Sequence, residues 1–251
     1  MIRINNFNLP RIIGHRGVKN LFPENTIESI LAAFKLGLDC VEIDVKISKD
    51  KVPILMHDHT LDRTTSGSGF AHLQRYEDIK KLDAGSFFYK KKTNYLVPTL
   101  EEVLKLFVNT NKILNIELKP SNSLEKDNVK EIFKLTSKYD SVPIYYSSFD
   151  LKSCLELISI NKNAFCGLIL DSFNDCGLSQ LIALSKKNNF YACGLNKKII
   201  TVDVVRELIE KKIIVTVYSD KNITNNEAKE LWNMGVQSIF SDDPTSLLNN
   251  F

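Results

Sequence analysis

Eight short runs rich in Val, Ile, Leu and Tyr alternate with longer amphipathic segments along the chain, and this alternation constrains the fold more than any other feature. The runs read as strands at 11–15, 40–47, 112–119, 142–148, 165–170, 191–195, 213–218 and 236–241. Helical patterns occupy 25–36, 100–109, 124–138, 151–160, 178–187, 202–211, 225–234 and a short 245–248. Several have the polar starts that helices need: Thr99 precedes Glu101 and Glu102, Thr201 precedes Asp203, and Asp150 sits just ahead of Leu151. Gly37 and Gly235 stand where a helix end takes a left-handed residue. Strand then helix, eight times over, predicts an α/β fold, a TIM-type (β/α)8 barrel closed by right-handed crossovers. A doubly wound fold in two domains is the alternative, but no linker-like composition divides the chain.

One interval breaks the rhythm. Between the second strand and the helix at Leu100 lie about fifty residues where two to six would be usual. They hold an apolar run at 52–56, a polar, Gly-bearing stretch at 64–69 and a helical pattern near 76–82. The expectation is one barrel domain over 1–251 with a small inserted subdomain at about 49–98, on the C-terminal face where barrel enzymes place their chemistry.

Composition excludes more than it assigns. With 43% hydrophobic and 25% charged residues in 251, disorder and low-complexity architectures are out. Lys and Arg total 33 against 30 Asp and Glu, spread along the chain, which gives no case for a nucleic-acid partner. The five cysteines are odd in number and lack a CxxC pair, as expected of free thiols in a reducing compartment. Residues 1–10 show no apolar leader core, and no apolar run approaches the ~20 residues of a membrane span. The chain therefore reads as cytoplasmic, without a stable membrane anchor.

The second strand, Val41-Glu42-Ile43-Asp44-Val45, puts both carboxylates on one face and the aliphatic residues on the other. In a barrel the apolar set faces the helices and the carboxylates face the lumen. Buried together, two carboxylates are costly unless a cation or protons neutralise them. The next strand repeats the device: Asn115, Glu117 and Lys119 share a face. A third lumen carboxylate would complete an all-oxygen set suited to Mg²⁺ or Ca²⁺. A plain Glu117–Lys119 ion pair is the competing reading. The first strand ends in His15-Arg16-Gly17, which suggests proton transfer beside anion binding. After it, Asn25 or Thr26 of Pro23-Glu24-Asn25-Thr26 would cap the first helix. In the insertion, His57 and His59 of Met56-His57-Asp58-His59 share a face if extended. A zinc pair competes there, but no third ligand stands at recognisable spacing. A second imidazole for acid–base work is more economical. His72 reads as surface.

Together these residues resemble the glycerophosphodiester phosphodiesterase family. His15-Arg16-Gly17, Pro23-Glu24-Asn25-Thr26, Glu42-Ile43-Asp44-Val45, His57-Asp58, Leu61-Asp62-Arg63-Thr64-Thr65 and Asp83-Ala84-Gly85-Ser86 follow the order of that family's N-terminal half. Asn115-Ile116-Glu117-Leu118-Lys119, Ser147-Ser148-Phe149 and Ser241-Asp242-Asp243-Pro244 extend the similarity over nearly the whole chain. The resemblance implies a divalent metal, Mg²⁺ or Ca²⁺, on Glu42, Asp44 and Glu117, with His15 and His57 as the acid/base pair. It implies phosphate contacts from Arg16 and Lys119, and a small-molecule substrate such as glycerophosphocholine or glycerophosphoethanolamine, cleaved to glycerol 3-phosphate and an alcohol. Members often carry Trp where this chain has Phe87 and Tyr218, which are read as substrate contacts at the mouth. The one Trp, Trp232, is expected outside the barrel. Two rivals stand beside this reading. A lysophospholipase D-like enzyme would act on lipids through an apolar mouth near Phe87, Phe88 and Lys90 to Lys92. A non-catalytic barrel would bind glycerophosphodiesters without cleaving them.

Overall fold

The computed structural model describes residues 7–174 and 176–248; the first part of the 1–10 segment, 1–6, lies outside the described residues. Eight parallel strands close into a barrel: β1 (Ile12–Gly14), β2 (Cys40–Ile47), β4 (Ile113–Leu118), β5 (Ile144–Ser148), β6 (Cys166–Leu170), β7 (Ala192–Asn196), β8 (Ile214–Tyr218) and β9 (Ser238–Ser241). Closure is made where Gly14 of β1 pairs with Val41 of β2, which excludes the open, doubly wound alternative. The run at 52–56 becomes β3 (Pro53–Leu55), antiparallel to the end of β2.

Between the strands run α1 (Ile27–Lys35), α4 (Leu100–Phe107), α5 (Glu125–Thr136), α6 (Leu151–Ile160), α7 (Leu178–Asn188), α8 (Val202–Glu210) and α9 (Asn225–Met234), with α10 (Thr245–Leu248) last. The insertion adds α2 (Tyr76–Ile79), shorter than the pattern at 76–82, and a single turn, α3 (Ser86–Tyr89), that the sequence did not announce. Side-chain caps mark several of the helix starts. Thr99 and Glu102 form a reciprocal capping box, and Asp150 and Thr201 each accept a backbone N–H three residues on. Gly235 closes α9 at φ 104, which a side chain would resist.

Alternation along the strands sorts side chains as expected. Val41, Ile43, Val45, Leu114, Ile116 and Leu118 pack outward in the layer under the helices. Inside, the N-terminal half of the lumen is plugged by Ile13, Cys40, Tyr145, Ala192 and Phe240. Gly167 of β6 makes room for that plug, since a Cβ there would meet Tyr145 Oη at 2.0 Å. Further along the same faces the lumen turns polar, at Glu42, Asn115, Glu117, Ser147 and Asp242. The barrel is thus dry at one end and charged at the other. A separate apolar cluster of Ile54, Met56, Leu61, Ala71, Ile79, Ala84 and Val97 holds the insertion together. All five cysteines are free and buried. Trp232 sits on α9, outside the barrel and partly buried, with Arg11 over its ring. His72 is half-buried in the insertion.

Candidate active site

Parallel pairing of β2 with β4 sets Asp44 opposite Glu117 and Glu42 opposite Asn115. Glu42, Asp44 and Glu117 are all buried, and one oxygen from each lies within 4.8 Å of the others. Among the described residues this is the only such group of potential metal ligands. Asn25, not needed as a cap because Thr26 accepts from Ser29 N–H, turns inward. Its amide donates to Asp44 Oδ2 at 2.8 Å and its carbonyl oxygen accepts from Asp44 N–H at 3.0 Å. Arg16 Nε lies 3.1 Å from Asp44 Oδ2, and Lys119 Nζ lies 2.7 Å from Glu117 Oε1.

Those cations do not satisfy the cluster. Glu42 Oε1 and Asp44 Oδ1 are buried without a hydrogen-bond partner. Burial, reinforced by Asp44 and Glu117, pushes the Glu42 carboxyl well above its ordinary range. Burial also lifts Glu117 to about 7 despite Lys119 beside it. At Asp44 burial works the other way from its neighbours, and Arg16 and Lys119 hold it below the ordinary range. Two unpartnered oxygens, a third carboxylate held only by Lys119, and a disfavoured collective charge fit a hard divalent cation. The zinc reading of His57 and His59 finds no such geometry: His59 is exposed, and His57 Nδ1 is engaged elsewhere.

The two histidines share a design. His15, at the end of β1, has Nδ1 2.7 Å from Asp242 Oδ1, and His57, just past β3, has Nδ1 2.7 Å from Asp58 Oδ1. A carboxylate at that distance assigns the proton to Nδ1 in the neutral ring and leaves the Nε2 lone pair available. Burial lowers both imidazoles, outweighing the aspartates. The second dyad is braced from behind: Arg63 pairs with Asp58 and with Glu24, and Glu24 pairs in turn with Arg16.

Arg16 and Gly17 make the turn that aims these groups. Arg16 adopts φ 51 and donates its own N–H to Glu42 Oε2 at 2.8 Å. Gly17 follows at φ 85, where a Cβ would lie 2.2 Å from Ser29 Oγ. That hydroxyl bridges Val18 N–H and the Arg16 carbonyl. Gly17→Ala is therefore expected to cost about 2–5 kcal/mol of stability, from left-handed strain plus overpacking. Urea unfolding monitored by circular dichroism measures it.

A cleft of about 490 Å³ opens over the cluster, bordered by His15, Arg16, Lys19, Lys119 and Tyr218. A second, of about 420 Å³, lies alongside and shares His57, Glu117, Lys119 and Phe149 with the first. A larger groove of about 870 Å³ sits at the N-terminal end of the barrel, but its walls carry one carboxylate, Asp140, and no histidine. The histidines and the carboxylate cluster are thus gathered at the charged end. Tyr218 lines the first cleft, with its hydroxyl 3.0 Å from Asp171 Oδ1. Phe87 does not join it: it is 49% exposed on α3 and borders neither cleft. The aromatic wall at the centre is Phe149, edge-on to Tyr218 and 5.0 Å under Lys119 Nζ. Phe149 and Asp242 stood in the quoted motifs without an assigned role. Their contacts lie across the barrel, where no local pattern reports them.

Comparison with known proteins follows the same lines. Residues 15–246 match the Glycerophosphoryl diester phosphodiesterase family. The chain is 31% identical over 241 residues to a glycerophosphodiester phosphodiesterase of Caldanaerobacter subterraneus subsp. tengcongensis, covering 95% of this chain and 96% of that one. It is 30% identical over 248 residues to a glycerophosphodiester phosphodiesterase of Bacillus subtilis, covering 92% and 83%. Among solved structures, an Oleispira antarctica phosphodiesterase in complex with the product sn-glycerol-3-phosphate superposes with a TM-score of 0.88 at 26% identity, over 96% of both chains. A Thermotoga maritima glycerophosphodiester phosphodiesterase shares the fold, with a TM-score of 0.77 at 21% identity over 97% of this chain and 99% of that one.

Proposed function

The chain belongs to the glycerophosphoryl diester phosphodiesterase family and is a phosphodiesterase of that kind, and we propose that it hydrolyses glycerophosphocholine and glycerophosphoethanolamine to glycerol 3-phosphate and an alcohol with a divalent metal and two histidines. One observation carries the reading: two aspartate-held imidazoles flank a buried tricarboxylate cluster at the charged end of the lumen. Glu42, Asp44 and Glu117 would hold the metal, and Mg²⁺ or Ca²⁺ suits their oxygens. Bound there, such a cation supplies Lewis-acid polarisation of the phosphate. Arg16 and Lys119 face the same cleft and share the charge that develops on phosphorus. One histidine Nε2 takes the proton of the attacking hydroxyl, and the other, entering the step protonated at Nε2, gives that proton to the departing alkoxide as the P–O bond breaks. The attacker is water, or the glycerol hydroxyl of the substrate with a cyclic phosphate then opened by water; both sum to hydrolysis. Asp242 and Asp58 fix the rings and stabilise them when charged. Tyr218 borders the phosphate cleft, and Phe87 would meet only a substrate part reaching beyond it.

The insertion is read as a subdomain within one barrel domain, carrying His57 to the site. Among the described residues no helix is long and apolar enough to cross a membrane. Five free, buried thiols support a reducing compartment such as the cytoplasm. A lipid-directed variant of the activity draws on Phe87 and Phe88, exposed beside Lys90, Lys91 and Lys92. Incubation with glycerophosphocholine, glycerophosphoethanolamine and a lysophospholipid, each with and without Mg²⁺ or Ca²⁺, separates the readings. Metal-stimulated release of glycerol 3-phosphate from the first two is the expected result. Preference for the lysophospholipid would move the assignment to lipid substrates, and binding without turnover would reduce the barrel to a binding protein.

A further inference from the structure

The two acid–base histidines are anchored by different means. His15 stands at a strand end, and its N–H donates to Ser241 O at 3.0 Å, so the barrel ladder fixes its backbone. His57 follows β3 on a stretch without regular structure. Its carbonyl and that of Asp58 accept no backbone N–H among the described residues. Both accept instead from the ammonium of Lys46, at 3.1 Å for His57 O and in close contact for Asp58 O.

Lys46 is the next lumen-facing residue of β2 after Glu42 and Asp44, and it is 1% exposed. A buried ammonium is costly unless hydrogen-bonded and matched by charge. Here two carbonyls accept its hydrogen bonds, and against burial and the like charge of Lys119 the carboxylates of Asp44, Asp58 and Glu117 supply opposing charge. Without it, the 57–58 turn would keep its link through Met56 N–H to Asp44 O, and the ion pairs of Asp58 with Arg63, whose side chain is 48% exposed. We infer that Lys46 is a positioning residue that pins the main chain of His57 and Asp58 to β2 and so sets His57 Nε2 against the carboxylate cluster. The inference rests on the reading of His57 as an acid–base group.

Lys46→Met keeps the length of the arm and removes its donors. A displacement near 1 Å costs ~10²-fold in rate, so kcat should fall by about 10–10²-fold at saturating Mg²⁺, with KM changed by less than about threefold. A double-mutant cycle separates this from general damage or a substrate contact, since Lys46 also borders the second cleft. Acting only through His57, Lys46→Met should leave the residual activity of His57→Ala unchanged within about twofold, yet lower that of His15→Ala by the same factor as it lowers the wild type. Equal factors in both backgrounds, or wild-type kcat in folded Lys46→Met, would overturn the inference while the role of His57 stands. Wild-type activity in His57→Ala would remove the premise instead. If Lys46→Met does not fold by near-ultraviolet circular dichroism, Lys46→Gln carries the same cycle with an amide on a shorter arm.

Discussion

Alanine at His15 or at His57 is expected to lower kcat by about 10²–10⁴-fold each, the usual worth of one general acid or base, while the fold is retained. Neither imidazole belongs to an apolar cluster, so no core cavity opens. The carboxylates left behind keep cations: Lys19 lies 3.3 Å from Asp242, and Arg63 lies 2.7 Å from Asp58. The loss should therefore appear in turnover and not in melting. Steady-state release of glycerol 3-phosphate, with thermal unfolding of each variant alongside, makes the comparison. Wild-type turnover in either folded variant would strike that histidine from the mechanism.

Metal removal is the second large effect. Excess EDTA should reduce turnover by at least about 10²-fold, because a Lewis acid at phosphate is worth several kcal/mol, and Mg²⁺ or Ca²⁺ should restore it. Stability offers a readout independent of catalysis. Three buried carboxylates that resist common ionisation gain a partner when a cation binds, so saturating metal should raise the unfolding free energy by about 2.7 kcal/mol at a hundredfold excess over Kd. The double variant Glu42→Gln and Asp44→Asn should lose that metal-dependent gain. Full activity in EDTA, or an equal gain in the double variant, would argue for a site that works without metal.

How much of this was legible in the sequence depends on the range of the interaction concerned. The limits of β2, α6 and α9 match the pattern residue for residue, because period 2 and period 3.6 are written locally and caps such as Asp150 mark their own helix. The same alternation placed Glu42, Asp44 and Glu117 in the lumen. Extended by one more step it reaches Lys46, whose charge at a lumen position was the available sign of a further role. The choice between Asn25 and Thr26 as cap was not legible, since both types cap helices. The barrel decided it by bringing Asp44 under Asn25.

Sequence alone, then, determined a barrel of eight strand–helix units, an insertion, and the identity of the carboxylates and histidines. Tertiary structure decided the partners. Asp242 reaches His15 across 227 residues only because closure sets β9 beside β1, and Phe149 rather than Phe87 walls the clefts because β5 ends next to Lys119 while α3 stands apart on the insertion. Periodicity encodes which way a side chain points. What it meets there is fixed by strand order and register, and those follow from the packing of the whole chain.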